Sequence, residues 1–193
     1  MIAGARARRL IAGTYVALVL AFLMLPVAVV VLASFSTTSF LTVPPQGVTL
    51  RWYGRLLDSR DYLAAIATSL TLAAAATACS LAVGTATSYA LVRRMVPGKA
   101  TVSAIVMSPL VFPGVVIGVA LLQFYAALGI AGGFAGLLIA HVVITVPYVV
   151  RTTLASLHGL DPELEDAACV LGADRLTAFR TVTLPLLRSG LAA

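Results

Sequence analysis

An uncharged stretch of 51 residues, from position 100 to position 150, limits what this chain can form more than any other feature. One helix of that length would extend about 75 Å, more than twice the hydrocarbon thickness of a bilayer. The stretch therefore has to turn back, and Leu128-Gly-Ile-Ala-Gly-Gly133 is the natural break. Hydrophobic residues make up 61% and charged residues 10% of the 193 positions, against about 45–50% and about 25% in soluble domains. The sequence predicts an all-α integral membrane protein.

The distribution of charge predicts four complete transmembrane helices. Each uncharged run is long enough to cross a hydrocarbon core of about 30 Å. The first run has 24 residues, more than the about 7–15 apolar residues of a signal peptide, so we expect it to be retained. The predicted spans are residues 10–33, 63–92, 102–127 and 134–150.

Two features of these spans have more than one interpretation. Prolines in the third and fourth spans either break the helices and open backbone carbonyls or produce ordinary kinks; they are Pro109, Pro113 and Pro147. Small residues on one face of the second span would allow close helix packing, although an Ala-rich helix also shows such a stripe by chance. They are Ser69, Ala73, Thr77, Ser80, Gly84 and Ser88.

Basic residues lie mostly on one side of the predicted spans. Ten of them fall in the segments on the N-terminal side of the membrane, and three (Arg51, Arg55 and Arg60) fall on the other side. Basic residues favour the cytoplasmic side, so the bias predicts a cytoplasmic N-terminus. Because these residues flank apolar runs, the net charge of +6 does not indicate nucleic-acid binding.

Motifs of catalysis and metal binding are missing from the sequence. Gly98-Lys99 is followed by Ala100, which does not fit a P-loop. Cys79 and Cys169 are too far apart for a metal motif or a disulfide framework. His141 in the fourth span is either a functional residue or a neutral histidine bonded to a neighbouring helix. An enzyme that combined His141 with the cytoplasmic acidic residues is disfavoured, because those residues lie outside the span. We predict no catalytic residue, metal or cofactor.

The two segments that follow the first and fourth spans contain helix signals. On the outer side, residues 49–57 place apolar side chains on one face, which predicts a short interfacial helix or a contact with an external partner. On the cytoplasmic side, Asp161-Pro162 begins a helix and Gly172 ends it. Asp174 caps a second short helix, which is predicted to end before Leu184-Pro185. The cytoplasmic segment is thus predicted to be a helix-turn-helix finger.

Residues 166–185 resemble the EAA loop of ABC importer permeases. The family pattern is Glu-Ala-Ala-x3-Gly-x9-Ile-x-Leu-Pro, and the chain meets every spacing, with aspartate for glutamate and valine for isoleucine. In that family the loop couples the permease to its ATPase. The resemblance assigns this role to Glu165, Asp166, Ala167, Ala168, Gly172, Val182, Leu184 and Pro185.

The rest of the chain is similar to permeases of the spermidine/putrescine type, in Ser34-Phe-Ser36, in residues 44–53 and in residues 149–154. The resemblance implies a single transmembrane domain over residues 1–193 with a type I ABC importer permease fold, in a bacterial inner membrane. It implies three partners: a cytoplasmic ABC ATPase dimer, a second permease subunit and an external solute-binding protein. Polyamines are the expected solutes. The alternatives are a permease for ferric iron, sulfate or molybdate, or thiamine, and a membrane scaffold without a transport role.

The resemblance also implies an incomplete fold. It places the EAA loop at about 161–185, and members of the family continue beyond that loop through two more spans. Residues 184–193 would give about 15 Å of helix, half the hydrocarbon thickness. We therefore expect residues 186–193 to be the start of a fifth span.

Overall fold

The computed structural model describes residues 2–40, 42, 44–93, 96–130 and 132–191, and every regular element in these ranges is helical. The predicted all-α class is therefore confirmed. A 3-10 turn at Ser108–Leu110 and a π turn at Phe179–Thr183 join successive helices. The α-helices are α1 (Ile2–Ser34), α2 (Arg51–Asp58), α3 (Arg60–Arg93), α4 (Lys99–Met107), α5 (Gly114–Ala127), α6 (Phe134–His158), α7 (Glu163–Val170), α8 (Arg175–Ala178) and α9 (Leu184–Leu191).

Three helices in the described ranges, α1, α3 and α6, are long and apolar enough to cross a membrane. A fourth crossing exists if α4 and α5 count together as one span. The first, second and fourth predicted spans lie within α1, α3 and α6, and α6 continues eight residues past the predicted end at Val150. The expected start of a fifth span coincides with α9, although residues 192 and 193 lie outside the described part of the chain.

The predicted third span, residues 102–127, is not one continuous helix, because α4 and α5 meet at a bend of 103°. Pro109 lies in the 3-10 turn, and Pro113 takes an extended conformation (ψ 133°) directly before α5. A proline lacks a backbone N–H and disfavours a helical conformation in the residue before it, here Phe112. Pro147, in contrast, lies inside α6 without interrupting it. Of the three prolines, two therefore mark a break and the third does not.

The residues before Ala67 form one compact unit. Within it, α2 matches the short helix predicted over residues 49–57. Trp52 Nε1 donates a hydrogen bond to the Ser36 carbonyl oxygen at 2.8 Å, and the Tyr53 and Ser34 hydroxyls lie 2.7 Å apart. The guanidinium of Arg51 lies over the Trp52 ring at 4.7 Å, a cation–π arrangement. These contacts fix α2 against the end of α1.

The residues from Ala67 onward form the second unit, in which α3 packs closely on α6. The Ser80 and Thr145 hydroxyls are 2.6 Å apart, and the Ser88 hydroxyl donates to the Val150 carbonyl at 3.3 Å. The C-terminal half of the predicted small-residue stripe is buried here, whereas its N-terminal half is exposed. Small side chains thus allow the two backbones to approach, as in other membrane helix pairs.

Gly84 lies at the closest point of this contact. A Cβ atom at Gly84 would meet Val149 Cγ1 at 2.6 Å and Val149 Cβ at 2.7 Å, whereas a Cβ at Gly118 in α5 would meet nothing within 4 Å. We expect Gly84→Ala to be less stable than the matched control Gly118→Ala by about 1–3 kcal/mol, the usual cost of overpacking. Thermal unfolding in detergent measures the difference. Adding Val149→Ala removes the contact with Cγ1 but leaves the one with Cβ, so it should restore only part of the stability. Equal stability of the two alanine variants would contradict the close packing.

Candidate functional site

The segment between α6 and α9 folds as a helical hairpin, which we call the finger (residues 161–185). Its first helix, α7, begins as the sequence predicts. The Asp161 carboxylate accepts a hydrogen bond from the Glu163 backbone N–H at 2.9 Å, which satisfies one free donor of the first turn. Acidic side chains in that turn, Glu163, Glu165 and Asp166, lie near the positive end of the helix dipole. Local capping and charge therefore fix where the finger starts.

Gly172 forms the turn at the end of α7. Its φ is +99°, a left-handed conformation that favours glycine. The Ala173 N–H donates to the Ala168 carbonyl and the Gly172 N–H to the Cys169 carbonyl, each at 3.0 Å. This pair of bonds is a Schellman motif, the usual way in which a glycine ends a helix. The predicted role of Gly172 as the stop of the first helix is confirmed.

The second arm starts at Asp174, whose carboxylate accepts from the Thr177 N–H at 2.8 Å and caps α8. Hydrogen bonds from Thr177, first the side chain and then the backbone, lower the pKa of Asp174. The predicted end of this helix before Leu184 is not observed. The Leu184 N–H donates to the Phe179 carbonyl five residues earlier, and the π turn leads directly into α9. The wider turn accommodates Pro185, which has no N–H for a regular α-helical bond.

The Glu165 side chain points into the protein, and the residue as a whole is 4% exposed. Its Oε1 accepts from Thr183 Oγ1 at 2.6 Å and from Arg93 Nε at 3.2 Å, and its Oε2 accepts from the Tyr89 hydroxyl at 2.9 Å. Arg93 Nη2 also donates to the Leu160 carbonyl at 3.0 Å. A buried carboxylate requires such charge-assisted partners. The sequence pattern does not indicate its partners Arg93, Tyr89 and Thr183, although Arg93 is the first charge after the second apolar run.

Asp166, the next residue, has the opposite environment. It pairs with Arg175 across the finger at 3.0 Å, and both side chains are more than half exposed. The hydrogen bond that Arg175 Nη1 donates to the Asp166 carboxylate raises the pKa of Arg175 above its ordinary value. A surface pair of this kind contributes little stability, so its groups remain accessible to a partner. A polar recess of about 250 Å³ lies beside the pair and is bordered also by Tyr89 and Arg93.

The end of the finger at the Gly172 turn is apolar. Val170 is 87% and Leu171 is 89% exposed, directly before the Gly172 turn. Of the other residues assigned to coupling, Ala167 is exposed and Ala168 half-buried, so α7 has a small-residue face near this end. Val182 is half-buried in the π turn, and Leu184 and Pro185 are exposed at the start of α9. The assigned residues therefore divide between an exposed end and a base near α3.

The expected bond from His141 to a neighbouring helix is not seen among the described residues. The His141 Nδ1 lies 2.7 Å from the Leu137 carbonyl oxygen in the same helix, α6, and its side chain is exposed. The finger is the part of the described chain in which charged, apolar and conformationally restricted residues are concentrated. A hairpin with a rigid turn, an apolar end and a buried ionic base is suited to contact another protein and transmit force.

Comparison with known proteins places this geometry in a family. The model of the family "Binding-protein-dependent transport system inner membrane component" matches residues 80–193, which include the whole finger. The chain is 33% identical over 185 residues to the spermidine/putrescine transport system permease protein PotC of Escherichia coli strain K12, covering 96% of this chain and 70% of that one. It is 35% identical to the putrescine transport system permease protein PotI of the same strain, covering 86% and 61%.

A solved structure supports the fold. A bacterial ABC transporter involved in the import of the acidic polysaccharide alginate matches with a TM-score of 0.68 at 16% identity, covering 97% of this chain and 71% of that one. Because the identity is low, this likeness concerns only the arrangement of helices, which is similar to that of a type I ABC permease. Together with the family match over residues 80–193, it shows that the chain is a permease subunit of an ABC importer and belongs to the family of binding-protein-dependent transport system inner membrane components.

Proposed function

We propose that this permease subunit forms part of a pathway for polyamines and is coupled by its finger to a cytoplasmic ATPase. The observation that supports the coupling most directly is the exposed apolar end of the finger at Val170 and Leu171. The residues proposed for coupling to the ATPase are those assigned from the EAA pattern. Among them, Glu165 lies at the base of the finger and Asp166 lies on its surface.

The end of the finger has the properties of a small protein interface. Exposed large apolar side chains that cluster among polar ones mark contact surfaces. Val170 and Leu171 are adjacent, and the Schellman turn holds them in one conformation, so their binding would cost little conformational entropy. The carboxylate of Asp166 is exposed nearby and would pair with a basic group at the rim.

The remaining partners and the orientation belong to the same proposal. The ten-to-three distribution of basic residues supports a cytoplasmic N-terminus and a cytoplasmic finger, although Arg94, one of the ten, lies outside the described residues. A finger on the cytoplasmic side would be accessible to a cytoplasmic ATPase dimer. A second permease subunit would complete the pathway, and an external binding protein would deliver the solute. Catalysis would reside in the ATPase, with this chain as a non-catalytic subunit.

Polyamines are proposed as the solutes because relatives named for spermidine and putrescine match 96% and 86% of this chain. The test is reconstitution of the assembled complex in proteoliposomes, with ATP hydrolysis measured in the presence of spermidine, putrescine, molybdate or thiamine. We expect stimulation by spermidine or putrescine alone. Stimulation by molybdate or thiamine instead would assign the permease to another solute class.

A further inference from the structure

We infer that Glu165 is a positioning residue that locks the finger to the end of α3, so that movement of the finger becomes movement of that membrane helix. The inference rests on the proposed coupling role of the finger. It assigns Glu165 a task within the permease, distinct from contact with the ATPase.

The geometry joins three elements at one carboxylate. Glu165 belongs to α7, its donors Tyr89 and Arg93 belong to α3, and its third donor, Thr183, belongs to the π turn. Arg93 also holds the Leu160 carbonyl, directly before the finger. Both arms of the finger and the chain that leads into it are therefore bonded, through one ion pair, to the last turns of α3.

Burial separates Glu165 from the neighbouring acid. The side chains of Arg93 and Glu165 are 12% and 5% exposed, whereas those of Arg175 and Asp166 are 56% and 61% exposed. A partner protein can reach Asp166 directly, whereas Glu165 lies at the wall of the polar recess with only 5% of its side chain exposed. Loss of one member of a buried ion pair is far more disruptive than loss of an exposed one, because the remaining charge is left without compensation.

The connection continues into the membrane helices. Tyr89 and Arg93 are four residues apart, so they lie on the same face of α3 and hold Glu165 together. The Tyr89 ring also packs edge-on against Phe179 of the π turn at 4.8 Å. Ser88, directly before Tyr89, and Gly84, one turn before Ser88, contact α6 closely. A displacement of the finger would thus move α3 and α6 as a rigid body, the type of motion that changes access in transporters.

The test replaces Glu165 in the full, assembled complex with its ATPase. Glu165→Gln keeps the shape of the side chain and removes its charge. Two quantities are measured: the amount of ATPase that remains bound on purification, and the solute taken up per ATP hydrolysed. We expect the ATPase to remain bound and uptake per ATP to fall about ten-fold or more. A residue needed only for folding would lower the yield of complex without changing this ratio in the complex that forms.

Three further variants provide a control for Glu165→Gln and test the donors to Glu165. Glu163→Gln makes the same charge change on the exposed side of α7 and should leave uptake per ATP within about two-fold of the unmodified protein. Arg93→Gln should reproduce the loss, and the double variant with Glu165→Gln should be no worse than either single one. Tyr89→Phe removes one donor and keeps the ring contact, so it should fold even where Glu165→Gln does not and should lower the ratio about three-fold.

The outcomes separate this inference from the proposed function. Unchanged uptake per ATP in Glu165→Gln or in Tyr89→Phe would overturn the inference. If both Glu165→Gln and Leu171→Asp release the ATPase, Glu165 takes part in docking. That result would overturn the inference, whereas the proposal that the finger docks on the ATPase would stand. Retention of the ATPase by Leu171→Asp would instead overturn the docking proposal itself.

Discussion

Gly172→Val should abolish solute uptake by the assembled importer while the protein still inserts into the membrane. At φ +99° a β-branched residue is strained, at a cost of about 1 kcal/mol or more. The strain is relieved if the turn opens, which breaks the bonds from Ala173 to Ala168 and from Gly172 to Cys169. Val170 and Leu171 would then lose their fixed position. Uptake and ATPase retention are measured in the same preparations.

A second glycine close to the finger provides the control for this prediction. Gly159 ends α6 with a φ of −83°, which all residues adopt easily, so Gly159→Val should retain most of the uptake. Gly172→Asn should be intermediate, because asparagine tolerates left-handed conformations better than valine. Uptake by Gly172→Val equal to that of Gly159→Val would contradict the role of the turn.

Leu171→Asp is predicted to weaken binding of the ATPase by about 30-fold or more. Leu171 is 89% exposed and has little packing to lose within the permease, so its replacement should not destabilise the fold. In the proposed complex it would be covered, and residues at the centre of an interface contribute about 2 kcal/mol or more, which is about 30-fold in Kd. Titration of the ATPase against the permease in detergent gives the dissociation constant.

The matched control for Leu171→Asp adds the same charge outside the finger. Ala155 is an exposed residue near the end of α6, and Ala155→Asp should leave the dissociation constant within about two-fold of the unmodified protein. Equal affinity of Leu171→Asp and Ala155→Asp would show that the end of the finger is not the docking surface.

The finger could be predicted from the sequence because its shape depends on local signals. Asp161-Pro162, Gly172 and Asp174 each fix a helix end through their own backbone and capping preferences, and all three act as predicted. The end of the second arm was not predictable in the same way. Pro185 indicated a stop, but a π turn, whose Phe179 ring packs against Tyr89 of α3, carries the helix past it.

The different environments of Glu165 and Asp166 could be determined only from the structure. Neighbouring residues on a helix point about 100° apart, so Glu165 and Asp166 cannot share one environment. Which of them faces inward depends on where α3 lies, and that position is not encoded near residue 165. The bend between α4 and α5 has a similar origin, since Pro109, Pro113 and Pro147 all stand in apolar runs and only the first two interrupt the helix.

Cysteine cross-linking at the end of the finger would show directly whether the finger contacts the ATPase. Single cysteines at Val170 and, as a control, at Ser59 in the predicted outer loop would be introduced into a Cys79→Ser, Cys169→Ser background. The assembled, ATP-hydrolysing complex would then be treated with a short bifunctional reagent. We predict a cross-link to the ATPase from position 170 and none from position 59. An active complex without a cross-link from position 170, or with one from position 59, would contradict docking by the finger.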